Sequence, residues 1–355
     1  MLLNATSFAR AGIIGNPSDG YFGKTLSCAF ENYSATVVLY ETPELQFLPG
    51  DVDDAVFTDL DHLMREVRLF GYYGGIRLLK AVTKLFVDHC RECAIPLPRR
   101  NFTARYTSTI PRLVGLSGSS AIVTAMLKCL MKFYEVQIPL EQAATLCLNA
   151  EKHELGIQCG LQDRVIQMYE GVVFMDFNRS LVESRGYGVY TPMNPALLPD
   201  LYIAFDPQRA EISGVYHQKL RVLFEEKQPD VVAAMGEFAD LAQRLYEVLL
   251  AGRLTEAPAL INANFDLRDR IFHVAEANRH MVMTARRTGC SAKFAGSGGA
   301  IVGTYEDDAQ FDRLSAAMAA IGCSTFKPII GRGQWHPDGV VPAGASRTAC
   351  PPSRG

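Results

Sequence analysis

Three groups of residues in this chain have the types and spacing that chemistry needs. The first is Pro111-Arg112-Leu113-Val114-Gly115-Leu116-Ser117-Gly118-Ser119-Ser120-Ala121, a Gly/Ser-rich loop that runs without a polar buffer into a stretch of helical period. Glycines let the backbone turn tightly and approach a ligand closely. Ser119 or Ser120 can cap the helix by accepting from its free N–H groups. Those N–H groups and the helix dipole favour an anion, most often phosphate. The loop reads as a phosphate cradle, though not one of Walker sequence.

The second group is Glu151 and Asp163, twelve residues apart, with Gly156 and Gly160 between them as punctuation. A helix, a turn and a second helix can bring both carboxylates to one cleft. Phosphoryl transfer needs oxygen ligands for Mg²⁺ and a carboxylate that orients or deprotonates the attacking hydroxyl. Glu151 with Ser120 can hold the metal, and Asp163 can act as the base. The competing reading is two solvated acids among the chain's 38. The third group is a single residue, Arg10, between Ala9 and Ala11 in an apolar strand. A cation there costs free energy unless it is paired. Asp163 is a fitting partner, since a guanidinium keeps it ionised; alternatively, Arg10 sits at an edge and its head reaches water. A further cluster, Lys293 to Ala300, carries Gly296, Ser297 and Gly298 before an apolar strand. It can close over a triphosphate, or form only a tight connection.

The elements that must position these groups follow from periodicity. Phe8–Gly15 and Ala35–Glu41 read as strands joined by a glycine-containing loop, and Gly75 to about Cys93 as a helix with Ile76, Leu79, Val82, Leu85 and Phe86 on one stripe. Asp61–Lys80 is interrupted by Gly71-Tyr72-Tyr73-Gly74-Gly75. Phe102–Thr107 alternates as a half-buried strand, and the loop helix places Val123, Met126, Leu127, Leu130 and Tyr134 on one face. Helices follow over about 140–155 and from about Leu161, then an apolar strand, Gly171–Phe177. The polar, proline-bearing stretch from Asp176 to Pro199 suggests a domain boundary, giving domains at 1–195 and 196–330. The second half reads as α+β: a strand at 201–205, helices near 232–251 and 268–288, a strand at 300–305 and a helix at 307–321. Residues 331–355, with the sole Trp335, read as a disordered tail.

Composition narrows the classes. A length of 355 residues, 48% apolar and 21% charged, suits a soluble globular protein of one large or two ordinary domains. A net charge of −3 gives no basic surplus for nucleic acid or an anionic membrane. The nine scattered cysteines, the start without an apolar signal core and the lack of any membrane-length apolar run suggest a cytoplasmic protein. Nothing points to an obligate protein partner; the expected partners are small molecules. Gly23-Lys24-Thr25 resembles the end of a P-loop, but Ser18 stands where its first glycine belongs. Cys90 and Cys93 form a lone CxxC, and the seven histidines include no HExxH.

Arg10–Asp19 (RAGIIGNPSD), Pro111–Ala121 (PRLVGLSGSSA) and Lys293–Ala300 (KFAGSGGA), in this order, resemble the three motifs of the galactokinase, homoserine kinase, mevalonate kinase and phosphomevalonate kinase (GHMP) superfamily. The middle motif carries one residue more than the commonest family form. Within the superfamily, NPSDGYFGKTLS, GYYGGIRLL, AEKHELGIQCGLQDRVIQMYEGVVFMDF, YTPMN and NFDLRDRIF are similar to the plant-type glucuronokinases, over about residues 7–330. The resemblance implies a two-domain α+β GHMP kinase fold: an N-terminal α/β domain like ribosomal protein S5 domain 2 and a C-terminal ferredoxin-like domain, with ATP in the cleft. It implies Asp163 and Arg10 as the catalytic pair, Glu151 and Ser120 on Mg²⁺, and Asp19 as a sugar contact; Asn16 replaces an acid common in the sugar kinases. Tyr73 falls in one of the similar segments and is a further acceptor-site candidate. The expected reaction is ATP-dependent phosphorylation of D-glucuronate at its anomeric hydroxyl. The alternatives are another acceptor (galactose, arabinose or galacturonate) or a non-catalytic sensor of sugar and nucleotide. The uronate carboxylate needs a cation, and Lys24, Arg77, Arg112 and Arg164 are the candidates.

Overall fold

The computed structural model describes residues 1–49, 74–208, 220–272 and 274–334. Tyr73 and most of the 61–80 segment lie outside these residues, as do Trp335 and the tail from 335 onward.

The first sheet is built around two long strands. Strand β1 (Leu2–Ile14) runs antiparallel to β2 (Lys24–Thr42), from Leu2 opposite Tyr40 to Ile14 opposite Leu26. On its other side, β2 pairs with β4 (Asn101–Ser108) through residues 35–42 and with β5 (Val172–Asp176) through residues 24–28. A two-residue β3 (Gln46–Phe47) flanks β4 in parallel, and β6 (Val189–Met193) completes the other end against β5. The loop expected between Gly15 and Ala35 is therefore short, because β2 begins at Lys24. The buried residues of its first part include Thr25, Ser27 and Cys28, small and polar enough to hide the strand from a hydrophobicity pattern. Beyond Asp176 the chain does not leave this sheet at once, since it forms a short helix, Arg179–Arg185, and then β6.

Helices α1 (Gly75–Glu92), α2 (Gly118–Phe133), α3 (Leu140–Asn149) and α4 (Gln162–Tyr169) pack together, with α2 and α4 against β1 and β2. Leu127, Leu130 and Phe133 of α2 are fully buried, and each such burial contributes about 1.5–3 kcal/mol. A π turn, Ala150–Glu154, extends α3 and carries Glu151.

The second sheet is antiparallel, in the order β10 (Ser324–Phe326), β7 (Leu201–Phe205), β9 (Ala300–Thr304), β8 (Lys293–Phe294). Period-two alternation divides β7: Leu201, Ile203 and Phe205 enter the large core shared with the first sheet, while Tyr202 and Ala204 enter a smaller core with Phe265, Ile301 and Leu314. Three long helices lie between β7 and β8 in the chain: Pro229–Leu250 packs against β1 and β2, Ala257–Ile271 against β8 and β9, and Glu276–Arg287 follows. The single helix expected at 268–288 is thus two. Phe272 adopts an extended conformation (φ −124°, ψ 144°), ending the first of them. Residues 331–334, expected to begin the tail, are packed: Gln334 N donates to Tyr169 O at 3.0 Å.

Candidate active site

Arg10 lies in the middle of β1, opposite Ala29, and points toward the start of α4. Its Nε and Nη2 donate to Asp163 Oδ1 and Oδ2 at 2.6 and 2.8 Å, a bidentate pair. Its Nη1 donates to Gly115 O (2.6 Å) and Ala295 O (3.2 Å), so one guanidinium ties the acid to both glycine loops. The Arg10 side chain is 6% exposed and that of Asp163 is 21% exposed, so the acid faces the cavity and the cation stands behind it. Burial alone would raise the pKa of Asp163. The charge and hydrogen bonds of Arg10, the Arg164 charge and a 2.5 Å hydrogen bond from Ser117 Oγ outweigh it, and hold the carboxyl well below the usual range.

The cavity in front of Asp163 measures about 340 Å³ and is lined by the 111–120 loop, the 157–164 turn, Asn16, Asp19, Arg268 and the 296–297 turn. Within the loop, Leu113, Gly115 and Ser117 all have left-handed backbone (φ 56°, 77° and 65°). Left-handed residues spaced this way build the concave N–H surfaces that bind anions. Gly115 has no alternative, since a Cβ there would meet Gly298 O at 2.4 Å. The side chains of Val114 and Ala121 turn into the core and anchor the loop. The second glycine turn is clamped by Arg268, which donates to Gly296 O (2.9 Å) and Ser297 O (2.5 Å).

Glu151 is fully buried yet borders the cavity. Its Oε1 accepts from Ser119 Oγ at 2.8 Å, and its Oε2 takes both Nε (2.8 Å) and Nη2 of Arg164. Ser120 does not face Glu151; its hydroxyl donates back to Ser117 O at 3.2 Å. The structure thus turns Ser119, rather than Ser120, toward the carboxylate. Hard oxygen donors suit Mg²⁺, which takes few protein ligands and keeps water and phosphate oxygens; Ser119 and Glu151 fit that requirement.

Asp19 sits in the turn Ser18–Tyr21. It approaches the 160–162 backbone so closely that a Cβ on Gly160 would lie 1.9 Å from Asp19 Oδ2, and Gln162 N donates to that oxygen at 3.4 Å. Burial and the Asp163 charge push Asp19 up to about 7. Asn16 also lines the cavity, and its Oδ1 accepts from the buried Lys293 Nζ at 2.5 Å. Of the candidate cations for a substrate carboxylate, Lys24 and Arg164 have partners that hold them away from an acceptor. Lys24 Nζ holds Gln243 Oε1 (2.9 Å) and Asp176 Oδ2 (3.4 Å) outside the cavity lining, and Arg164 is bound to Glu151 and to Gly160 O (2.9 Å). Arg77 lies in the first turn of α1, outside this lining, while Arg112 stands on the phosphate loop. Sequence reasoning missed Arg268 and Lys293 as builders of the site. Ser117 belongs to the phosphate loop as expected, and its hydrogen bond to Asp163 is a contact that the sequence does not announce.

Residues 77–171 match the family model described as GHMP kinases N terminal domain. The galactokinase of Lactococcus lactis, solved with galactose, superposes with a TM-score of 0.74 and 16% identity, covering 94% of each chain. The mevalonate kinase of Methanococcus jannaschii superposes with a TM-score of 0.66 and 16% identity over 93% of this chain and 98% of that one. The fold is therefore the two-domain α+β fold of the GHMP kinases. Two proteins of Arabidopsis thaliana are much more similar in sequence: glucuronokinase 1, 43% identical over 302 residues (83% of each chain), and probable glucuronokinase 2, 44% identical over 303 residues (83% of this chain, 82% of that one). The chain belongs to the glucuronokinase family of the GHMP kinases. It is an enzyme, an ATP-using phosphotransferase that acts on a small molecule.

Proposed function

We propose that this chain transfers the γ-phosphoryl group of ATP to the anomeric hydroxyl of D-glucuronate, giving D-glucuronate 1-phosphate and ADP. The observation that carries the chemistry is the Asp163 carboxylate, held ionised by Arg10 and facing a cavity walled by anion-binding backbone. The choice of sugar acid rests on the names of the two Arabidopsis relatives.

Asp163 orients the C1 hydroxyl and takes its proton as the oxygen–phosphorus bond forms and the bond to the ADP oxygen breaks. Its low basicity suits a proton that moves late, once the attacking oxygen has become acidic. Arg10 balances charge on Asp163 and the attacking oxygen. The N–H groups of the 111–121 loop and of the turn at Gly296, Ser297 and Gly298 hold the phosphates. Ser119 and Glu151 would hold Mg²⁺, which neutralises phosphate charge when bound. Asp19 and Asn16 border the acceptor end of the cavity. We place the domain division at 195/196, between the last strand of the first sheet and the first strand of the second. We read the setting as cytoplasmic from the scattered cysteines of the sequence, seven of the eight described being free thiols.

The test is an acceptor panel of glucuronate, galacturonate, galactose and arabinose, with ADP release as readout and phosphorus NMR to locate the new ester. Glucuronate should be the preferred acceptor and C1 the esterified position. Turnover of neutral sugars without glucuronate would overturn the acceptor, and binding of ATP and glucuronate without ADP formation would overturn the reaction.

A further inference from the structure

A uronate brings a carboxylate into the site, and the cations considered so far serve it poorly. Lys24 and Arg164 are engaged elsewhere, Arg77 lies outside the cavity lining, and Arg112 belongs to the phosphate side. A fifth cation, Arg221, borders the acceptor side. A recess of about 30 Å³ opens beside the main cavity and is bounded by Asp19, Tyr21, Gln158, Gly160 and Arg221. By such a measure one water needs about 10–15 Å³, so the recess has the capacity of one small polar group, such as a carboxylate. Asp19 lines both spaces, Asp163 only the cavity and Arg221 only the recess. A sugar lying against Asp19 therefore has one end toward each.

The local packing presets Arg221 for this task. It stands in the helical turn 220–225, and the Phe224 ring of that turn packs 4.7 Å from Tyr21, beside Asp19. Arg221 Nη1 donates to Gln158 Oε1 at 2.9 Å, which orients the guanidinium toward the 158–160 wall. Its Nε is paired with Glu225 Oε1 at 3.3 Å, but the Glu225 side chain is 68% exposed. An exposed pair of this kind contributes about 0–1 kcal/mol, so a substrate carboxylate can displace it at little cost. Nη2 makes no hydrogen bond within the described residues. A planar guanidinium fork with a donor to spare is the group best matched to a carboxylate.

We propose that Arg221 grips the carboxylate of the acceptor and so selects a sugar acid over a neutral sugar. This rests on the glucuronate reading above. The experiment compares the purified full chain with its Arg221→Gln and Arg221→Lys variants on glucuronate, galactose and ATP. In Arg221→Gln the KM for glucuronate should rise about 10- to 100-fold, the range for losing a charge-assisted contact. The KM for ATP and the thermal midpoint should stay within error, and the preference for glucuronate over galactose should collapse. Arg221→Lys should fall between, keeping charge without the fork. If the wild type phosphorylates glucuronate and both variants keep its KM within twofold, the Arg221 assignment is wrong and the function stands. If the wild type ignores glucuronate and uses neutral sugars, both are wrong.

Discussion

At the scale of single residues, two carboxylates that line one cavity are driven in opposite directions. Asp163 is held ionised by Arg10, while Asp19 is pushed to about 7 by burial and by Asp163 itself. Asp163→Asn should lower kcat by about 10²- to 10⁴-fold, the usual worth of a positioned acid–base group, with the Kd for an ATP analogue little changed. Near-normal turnover would remove Asp163 from the reaction. Asp19 makes a separate prediction about stability. Its folded pKa lies above the unfolded value of 3.8, so the folded state binds the extra proton between about 3.8 and 7. Stability supplied by that proton is full at the acid end of this window and is lost as pH rises toward 7. Denaturant unfolding at pH 5 and pH 8 should show wild type losing ground relative to Asp19→Asn at the higher pH. Equal differences at both values would show that Asp19 titrates normally.

At the scale of elements, the phosphate loop and its helix were legible because their signals are local: glycines, serines, then an apolar stripe. Which serine meets Glu151 was not, since neighbours on a helix point about 100° apart. The answer depends on where the helix begins, and the left-handed Ser117 sets the start of α2 at Gly118. Ser119→Ala should therefore raise the Mg²⁺ concentration for half-maximal rate about five- to tenfold, and Ser120→Ala should raise it less. The reverse ranking would return the metal to Ser120. Long-range partners were legible only where a residue's own type demanded one. Arg10 could be suspected because a cation in an apolar strand demands an explanation. Arg221 sits in an ordinary amphipathic stretch, and its place beside Asp19 arises only from tertiary packing. The hidden half of β2 shows the same limit, because Thr25, Ser27 and Cys28 are buried by their neighbours rather than by their own hydrophobicity.

At the scale of the whole molecule, the two sheets meet where the site is. Gly12 N of β1 donates to Ala295 O at 2.8 Å, and Arg10 reaches the same carbonyl at 3.2 Å. The third fastening is Lys293, 1% exposed, whose ammonium donates to Gly12 O and Asn16 Oδ1 (both 2.5 Å) and Phe294 O (2.7 Å). Burial, with the charges of Arg268 and Arg10, pulls the Lys293 pKa well down, whereas three oxygen acceptors suit the charged form. Lys293 thus joins the cavity-lining Asn16, in the turn after β1, to the glycine turn that begins three residues later beyond β8. Lys293→Met fills similar space but leaves three buried acceptors without a donor, and each such loss costs about 1–3 kcal/mol before relaxation. With partial relaxation, the variant should lose about 2–4 kcal/mol in denaturant unfolding. Because Asn16 and the 296–298 turn lose their common anchor, the KM values for acceptor and ATP should rise together. A stable variant with both KM values unchanged would show that the sheets are held in register without Lys293.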